Sequence, residues 1–276
     1  MKADLHVHTT ESDGLLSVEE VVNLAHTNSV QIMAITDHES TQGIDKAKNI
    51  AQRYNIEIIP GVELLTCYKG QEVHLLGYFQ EVNHPVLQAR LKELREQRTS
   101  LAYDMFERLK NSGFSLEWQD IKREVGAEGA VTKGHIMRAI YHHEGRGSQT
   151  NWRLLAGYFR PGGAAYLPFL NHTFEDAVDL IYACGGFPVL AHPGLLSNPE
   201  IVFELLAYRP IGLEVYYAYW ERQKTLIAYY EEIANRFALL ATGGSDYHGI
   251  SVLIQLGQMD VPIDGVLKLK TYLSNT

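Results

Sequence analysis

Seven short apolar, β-branched runs recur along the chain with helical patterns between most of them. They are ADLHV at the start, IMAIT (32–36), IEIIPGVE (56–63), EVHLLGYF (72–79), GFPVLAH (186–192), GLEVYY (212–217) and FALLATGGSD (237–246). Helical periodicity fills 17–28, where Ser17 and Glu20 have capping-box spacing, and also 43–55, 173–185 and 223–237. Strand and helix in alternation build a mostly parallel α/β sheet, open or closed into a barrel. The alternation lapses between about 84 and 166. There a charged helix carries Leu87, Leu91, Leu94, Leu101, Met105 and Leu109 near one stripe, followed by further helical segments and a Gly/Arg-bearing stretch. We expect an α/β barrel from 1–98 and 166–276, with 99–165 as a small helical insertion. At 276 residues the chain is long enough for one large domain carrying such an insert.

In parallel α/β proteins, chemistry collects where strands end and loops begin. The first strand exit offers His6 and His8, then Asp13; the second Asp37 and His38; the third Glu63. The fourth strand holds His74, the fifth ends at His192, the sixth carries Glu214, and the seventh exits through Asp246 and His248. Singly these have ordinary readings: Asp37 could cap the helix after it, and Leu5 and Val7 alternate with His6 and His8 as in any half-buried strand. Together, six of the twelve histidines occupy equivalent places. The six imidazoles with Asp13, Glu63 and Asp246 exceed what one ion needs. They suit two or three divalent transition metals (manganese, iron or zinc) bridged by a carboxylate and a hydroxide.

Other features narrow the setting. Cys67 and Cys184 form no CxxC pair and point to a reducing cytoplasm rather than a disulfide framework. No apolar run approaches a membrane span, and the start MKADLHVH has no signal-peptide core. A net charge of −9 argues against an extended nucleic-acid partner or an anionic membrane. The charge is uneven: 84–166 holds 13 basic and 9 acidic residues, a balance of +4, leaving −13 elsewhere. Oligomeric state is not written in the sequence.

The series DLHVHT, SDG, TDH, GVE, VHLLGY, AHPG and GSDYHG resembles the PHP (polymerase and histidinol phosphatase) family, and within it the standalone phosphoesterases that act on nucleotides. That resemblance implies a distorted (β/α)7 TIM-like barrel with a trinuclear metal centre. It implies His6, His8, Glu63 and Asp246 on one ion, Asp13, His38 and His248 on a second, and Glu63, His74 and His192 on a third. Relatives carry a Gly-Arg-Pro-His stretch in the insertion, whose basic residue reaches the substrate phosphate; here TKGHIMRAI places Lys133 and Gly134 there. Lysine still pairs with phosphate, as a point charge rather than a fork. His135 and Arg160 are further candidate phosphate contacts. After His248 the chain runs GISVLIQLG, where relatives have a polar, Lys-containing loop.

The expected activity is hydrolysis of a small phosphomonoester by in-line attack of a metal-bridging hydroxide. Lys133 would steady the phosphoryl charge, and His192 or His248 would protonate the leaving oxygen. The expected substrate is a nucleotide, such as a nucleoside 3′,5′-bisphosphate or the 5′ end of a short oligonucleotide. Histidinol phosphate is the alternative within that chemistry. A non-catalytic, metal-stabilised scaffold module is the alternative outside it, and amide or lactone hydrolysis in a similar barrel is a third.

Overall fold

The structure, a computed structural model, describes residues 1–126, 129–143, 152–219, 223–250 and 253–276. Residues 144–151, the start of the Gly/Arg-bearing stretch, and two residues of the loop after His248 lie outside the described residues. No described helix is long and apolar enough to cross a membrane.

The first half follows the expected alternation: β1 (Ala3–Val7), α1 (Val18–Thr27), β2 (Ile32–Ile35), α2 (Ile44–Ala51) and β3 (Glu57–Tyr68). Ser17 and Glu20 form the capping box at α1, each side chain bonded to the other residue's backbone N–H. β4 (Gln71–Tyr78) then returns without a helix. Tyr68 pairs with Gln71, and the two-residue turn uses Lys69 (φ 49°) and Gly70 (φ 77°). Left-handed φ at both positions is the type I′ turn whose twist matches the strands.

Next come α3 (Pro85–Asn111), α4 (Trp118–Lys122), α5 (Lys133–His143) and α6 (Trp152–Tyr158), the region expected as an insertion beginning inside α3. The barrel resumes with α7 (Phe174–Ala183), β5 (Phe187–Leu190), α8 (Ile201–Tyr208), β6 (Gly212–Tyr217), α9 (Gln223–Arg236), β7 (Ala241–Gly244) and α10 (Ile263–Leu273). Thr173 caps α7 through the Asp176 N–H.

The seven strands form one sheet in sequence order. Four neighbouring pairs are parallel, while β4 runs antiparallel to both β3 and β5. The mostly parallel expectation therefore holds except at the hairpin, and this reversal distorts the (β/α)7 repeat. It also brings the start of β4, with His74, to the end of the barrel where the parallel strands exit.

β1 and the residues after β7 meet and nearly close the ring. Val7 bridges Tyr247, the His8 N–H donates to the Tyr247 carbonyl (2.9 Å), and the Asp246 N–H donates to the His6 carbonyl (2.8 Å). The strands approach so closely that a Cβ on Gly244 would sit 2.4 Å from the His6 backbone nitrogen. That contact is with backbone, so no side chain can yield. Gly244→Ala should cost at least about 2–3 kcal/mol and displace His6, lowering both the melting temperature and the bound metal. Thermal denaturation with metal analysis of the variant checks this.

One expectation about β1 is corrected. Its register against β2 slips by one residue between Asp4 and Val7. Leu5 consequently packs with Ala3, Ala34, Ile59 and Leu76, whereas Val7 packs with Val18, Val22, Met33 and Ala47 beneath α1 and α2. A bulge re-aims side chains in this way, and Leu5 and Val7 do not share a face.

α3 serves two cores. Leu87, Leu91 and Leu94 join the barrel cluster with Val62, Leu64 and Leu75. Ala102, Met105, Phe106 and Leu109 join a separate cluster with Ile121, Ile136, Met137, Ile140 and Phe159. Leu101 packs against both, and the buried Arg98 lies between the two sets.

Candidate metal centre

Glu63 is the hub. It is 1 % exposed, in the middle of β3, and both of its oxygens face imidazoles. Oε2 lies 3.2 Å from His6 Nε2, 3.1 Å from His8 Nε2 and 3.3 Å from His38 Nδ1. Oε1 lies 2.7 Å from His74 Nδ1 and 3.1 Å from His192 Nε2. Around it, Asp246 Oδ1 is 3.3 Å from His6 Nε2 and 3.1 Å from His8 Nε2, and Asp13 Oδ1 is 3.2 Å from His248 Nε2.

All nine expected ligand residues thus converge on one cluster. Their donor atoms fall into three groups: His6, His8, Glu63 and Asp246; His8, Asp13, His38 and His248; and His38, Glu63 and His74. The first matches the set implied by the family resemblance. In the second His8 joins, and in the third His38 stands where His192 was expected. His192 reaches these donor groups through Glu63 Oε1, and its ring packs against those of His6 (centroids 5.7 Å apart) and His74 (5.0 Å).

The electrostatics are those of a buried mixed-charge cluster. Burial opposes charge on Glu63, Asp13 and Asp246, yet the surrounding imidazoles hold all three well below the usual carboxylate range. Burial likewise opposes protonation of His6, His8 and His74, but the carboxylates outweigh it. They push His8 to about 10, His74 to about 9, and His6 well above its ordinary value. His38 goes the other way: burial lowers it by more than Glu63 and Asp13 return, and Arg98 and His8 lower it further.

Several buried atoms here have no hydrogen-bond partner: His6 Nε2, His8 Nε2, His38 Nδ1, Asp13 Oδ1 and Asp246 Oδ1. Burying such a group unsatisfied costs about 1–3 kcal/mol. Five of them pointed at each other, all nitrogen or oxygen, fit a site for divalent metal ions.

A second layer orients these groups. Glu214 Oε1 lies 2.9 Å from His6 Nδ1, and its Oε2 accepts from the His192 N–H at 2.7 Å. Glu214 was visible in the sequence as the carboxylate of β6 but not counted as part of the centre. The Tyr217 hydroxyl donates to Asp246 Oδ2 (2.8 Å), so this tyrosine is a buried positioning group. Asp37 does not cap α2, whose N-cap is Gly43. It accepts instead from the Thr9 N–H, the Thr9 hydroxyl and the Ser12 hydroxyl, fixing the loop that presents Asp13. Three residues here hold left-handed φ without being glycine: His192 (26°), Glu39 (47°) and Asp246 (54°). Each such residue costs about 1–3 kcal/mol, the kind of strain that gathers at functional sites.

Glu214→Gln should lower metal affinity about 10- to 100-fold while leaving the fold intact, the usual penalty for removing a group that orients a metal-binding histidine. Metal titration of the chelator-stripped variant gives the measurement.

The insertion meets the centre at Asp13. Thr132 Oγ1 donates to Asp13 Oδ2 (3.1 Å), and Arg138 Nη1 approaches the Asp13 carbonyl (3.4 Å). Lys133 pairs with Glu72 Oε1 at 2.7 Å, and that oxygen also lies 3.2 Å from His74 Nε2. The other two expected phosphate contacts are placed differently. His135 is fully buried, its Nδ1 accepts from the Thr132 N–H (3.1 Å), and burial pushes it down to about 4. It is a neutral side chain packed inside α5. Arg160 is exposed in the turn after α6 and has no ion pair among the described residues. Nothing brings it to the cluster.

A nearly closed seven-stranded α/β barrel with imidazoles and carboxylates gathered at its strand exits is the frame of a metal-dependent phosphoesterase. The PHP domain family model matches residues 4–163, more than half of the chain, and the protein belongs to that family. It is 31% identical over 284 residues to the 5′-3′ exoribonuclease Rnm of Escherichia coli K12, covering 99% of this chain and 95% of that one. It is 30% identical to the 3′,5′-nucleoside bisphosphate phosphatase of Chromobacterium violaceum, covering 89% and 86%. Among solved structures, a protein from Bifidobacterium adolescentis assigned as a metal-dependent phosphoesterase superposes with a TM-score of 0.86. It shares 25% identity, covering 98% of this chain and 96% of the other.

Proposed function

We propose that this enzyme hydrolyses a terminal phosphomonoester on a small nucleotide, a nucleoside 3′,5′-bisphosphate or the 5′ end of a short oligonucleotide, with two to three divalent ions held by the nine-residue cluster. The observation that carries this reading is Glu63, buried with both oxygens shared among five imidazoles. One ion would leave much of that donor set unused. The relatives' activities on RNA ends and nucleoside bisphosphates favour a nucleotide over histidinol phosphate. Completeness of the donor set favours catalysis over a scaffold role. The unpaired thiols Cys67 and Cys184 favour a cytoplasmic setting.

Divalent ions in this cluster would supply Lewis-acid stabilisation of the phosphoryl oxygens and an acidified water. The protein's own groups do the rest. Lys133, 40% exposed at the edge of the cluster, meets a phosphoryl oxygen by exchanging part of its pairing with Glu72. His192 or His248, whichever is not committed to an ion, would supply the proton to the leaving oxygen. Glu214 fixes the backbone of His192, and the Asp246 carbonyl, 2.9 Å from Nδ1, orients the ring of His248. His135 and Arg160 take no part.

The test is phosphate release by chelator-stripped protein reloaded with manganese, iron or zinc. The panel is a nucleoside bisphosphate, 5′-phosphorylated short oligonucleotides, a cyclic phosphodiester and histidinol phosphate. The nucleotide monoesters should lead; preference for histidinol phosphate would remove the nucleotide assignment. Protein that binds two or three ions yet turns over nothing would be a scaffold module. On the best substrate, Lys133→Ala should raise KM about tenfold with little change in kcat, the loss of one partly exposed charge-assisted contact. Steady-state kinetics of that variant decide the point.

A further inference from the structure

The geometry points to Arg98 as a second phosphate anchor, a guanidinium in the wall of the cavity that Lys133 also lines. This rests on the phosphoester reading and extends it to a residue that no motif marks. The cavity lies between the barrel rim and the insertion, with Leu65, Leu101, Met105 and Val131 as its apolar side and Glu72, Arg98, Thr132 and Lys133 as its polar side. Two of its lining residues touch the candidate metal centre: Glu72 lies 3.2 Å from His74 Nε2, and Thr132 donates to Asp13 Oδ2 at 3.1 Å.

Arg98 is nearly buried, at the point where α3 passes from the barrel core to the insertion core. Its Nη1 is 2.5 Å from Glu39 Oε2. Glu39 is itself clamped: its Oε1 accepts from the Leu65 N–H (2.7 Å), and its carbonyl accepts from Arg95 (2.7 Å). Among the described residues the Arg98 guanidinium has no second hydrogen-bond partner, so one donor of its planar fork is fixed and the others are left for a ligand in the cavity. Burial opposes its charge, but Glu39, Asp13 and Glu72 together keep it firmly protonated, and its positive field reaches His38.

Two neighbouring cations, each balanced by a carboxylate, make a site that is neutral when empty. Lysine offers a point charge, whereas arginine offers the paired N–H geometry that matches two phosphoryl oxygens. Arg98 thereby supplies the fork that Lys133 lacks.

The experiment measures inorganic phosphate affinity of the metal-loaded protein by calorimetry, alongside metal content and kinetics, for the parent, Arg98→Lys and Arg98→Ala. Arg98→Lys keeps the charge beside Glu39 and so protects folding. It should keep the parent's metal content and weaken phosphate binding about tenfold, with a matching rise in KM. Arg98→Ala should lose more, and added guanidinium should restore part of the loss. Phosphate affinity unchanged in Arg98→Lys overturns the proposal while leaving the phosphoester reading intact. Metal lost in step with phosphate affinity overturns it too, because Arg98 would then act by holding Glu39 and His38 in place. A parent protein that neither binds phosphate nor hydrolyses any phosphoester overturns both readings at once.

Discussion

Glu63→Gln should abolish phosphoester hydrolysis, with kcat down by at least about 10³-fold, and should leave the protein unable to hold its full set of ions. The change is nearly isosteric, so packing is kept and the effect is chemical. Glu63 presents one oxygen to three imidazole nitrogens and the other to two. Glutamine keeps one carbonyl oxygen and replaces the other with an amide NH₂, which cannot ligate and turns hydrogens toward ring nitrogens meant for cations. It also removes the negative charge that, with Asp246 and Glu214, sustains protonation of His6 in the stripped protein. Metal analysis and single-turnover kinetics on the same preparation test the two halves separately. A variant that kept full metal and lost only turnover would show that Glu63 is not a bridging ligand. Normal turnover would remove it from the site altogether.

How far the sequence revealed this arrangement differs by feature. The nine clustered residues were legible because strand exits in a parallel sheet share one end, so spacing along the chain became proximity in space. β4 reverses the direction, yet His74 still reaches the cluster, since the two-residue turn at Lys69 and Gly70 starts β4 at that same end. Division of the ligands was less legible. His8 and His38 each stand between two groups, which depends on ring orientation that no spacing encodes. The bulge that separates Leu5 from Val7 left no mark either, because alternation looks the same on both sides of a one-residue slip.

Long-range partners were the least legible. Asp37 looked like a helix cap, and only the fold brings Thr9 and Ser12 to it. His135 lies two positions after Lys133 in a stretch expected to contact phosphate, yet the helical turn that exposes Lys133 buries it. Arg98 sits in a charged helix where any arginine reads as surface. Its burial follows from α3 crossing between two cores, which is a tertiary fact.

Removing the metals should have an effect that grows with pH. In the stripped protein the cluster is held by protons, imidazolium against carboxylate. His8 and His74 are raised from 6.5 to about 10 and about 9, so their stabilising contribution is complete below about pH 6.5 and is lost as pH rises through those values. Glu63, Asp13 and Asp246 are depressed, so theirs is present above their ordinary values near 4 and is lost only in stronger acid. The stripped protein should therefore be most stable at mildly acidic pH and weaken toward about pH 9. Metal binding runs the opposite way, since ligand histidines must be neutral, and each ion taken up expels protons. At a hundredfold excess over its Kd, each ion adds about 2.7 kcal/mol, so two add roughly 5 kcal/mol. For a chain of this size that is about 10–20 °C in melting temperature. Paired melts with and without chelator at about pH 6, 7.5 and 9 should show this gap widening with pH. Calorimetry near pH 7.5, in buffers of different ionisation enthalpy, should show roughly two protons released per chain on loading. A gap that stayed constant across the range, or binding without proton release, would mean that the imidazoles of the stripped centre are already neutral, and that buried histidine–carboxylate pairing is not what holds it together before the ions arrive.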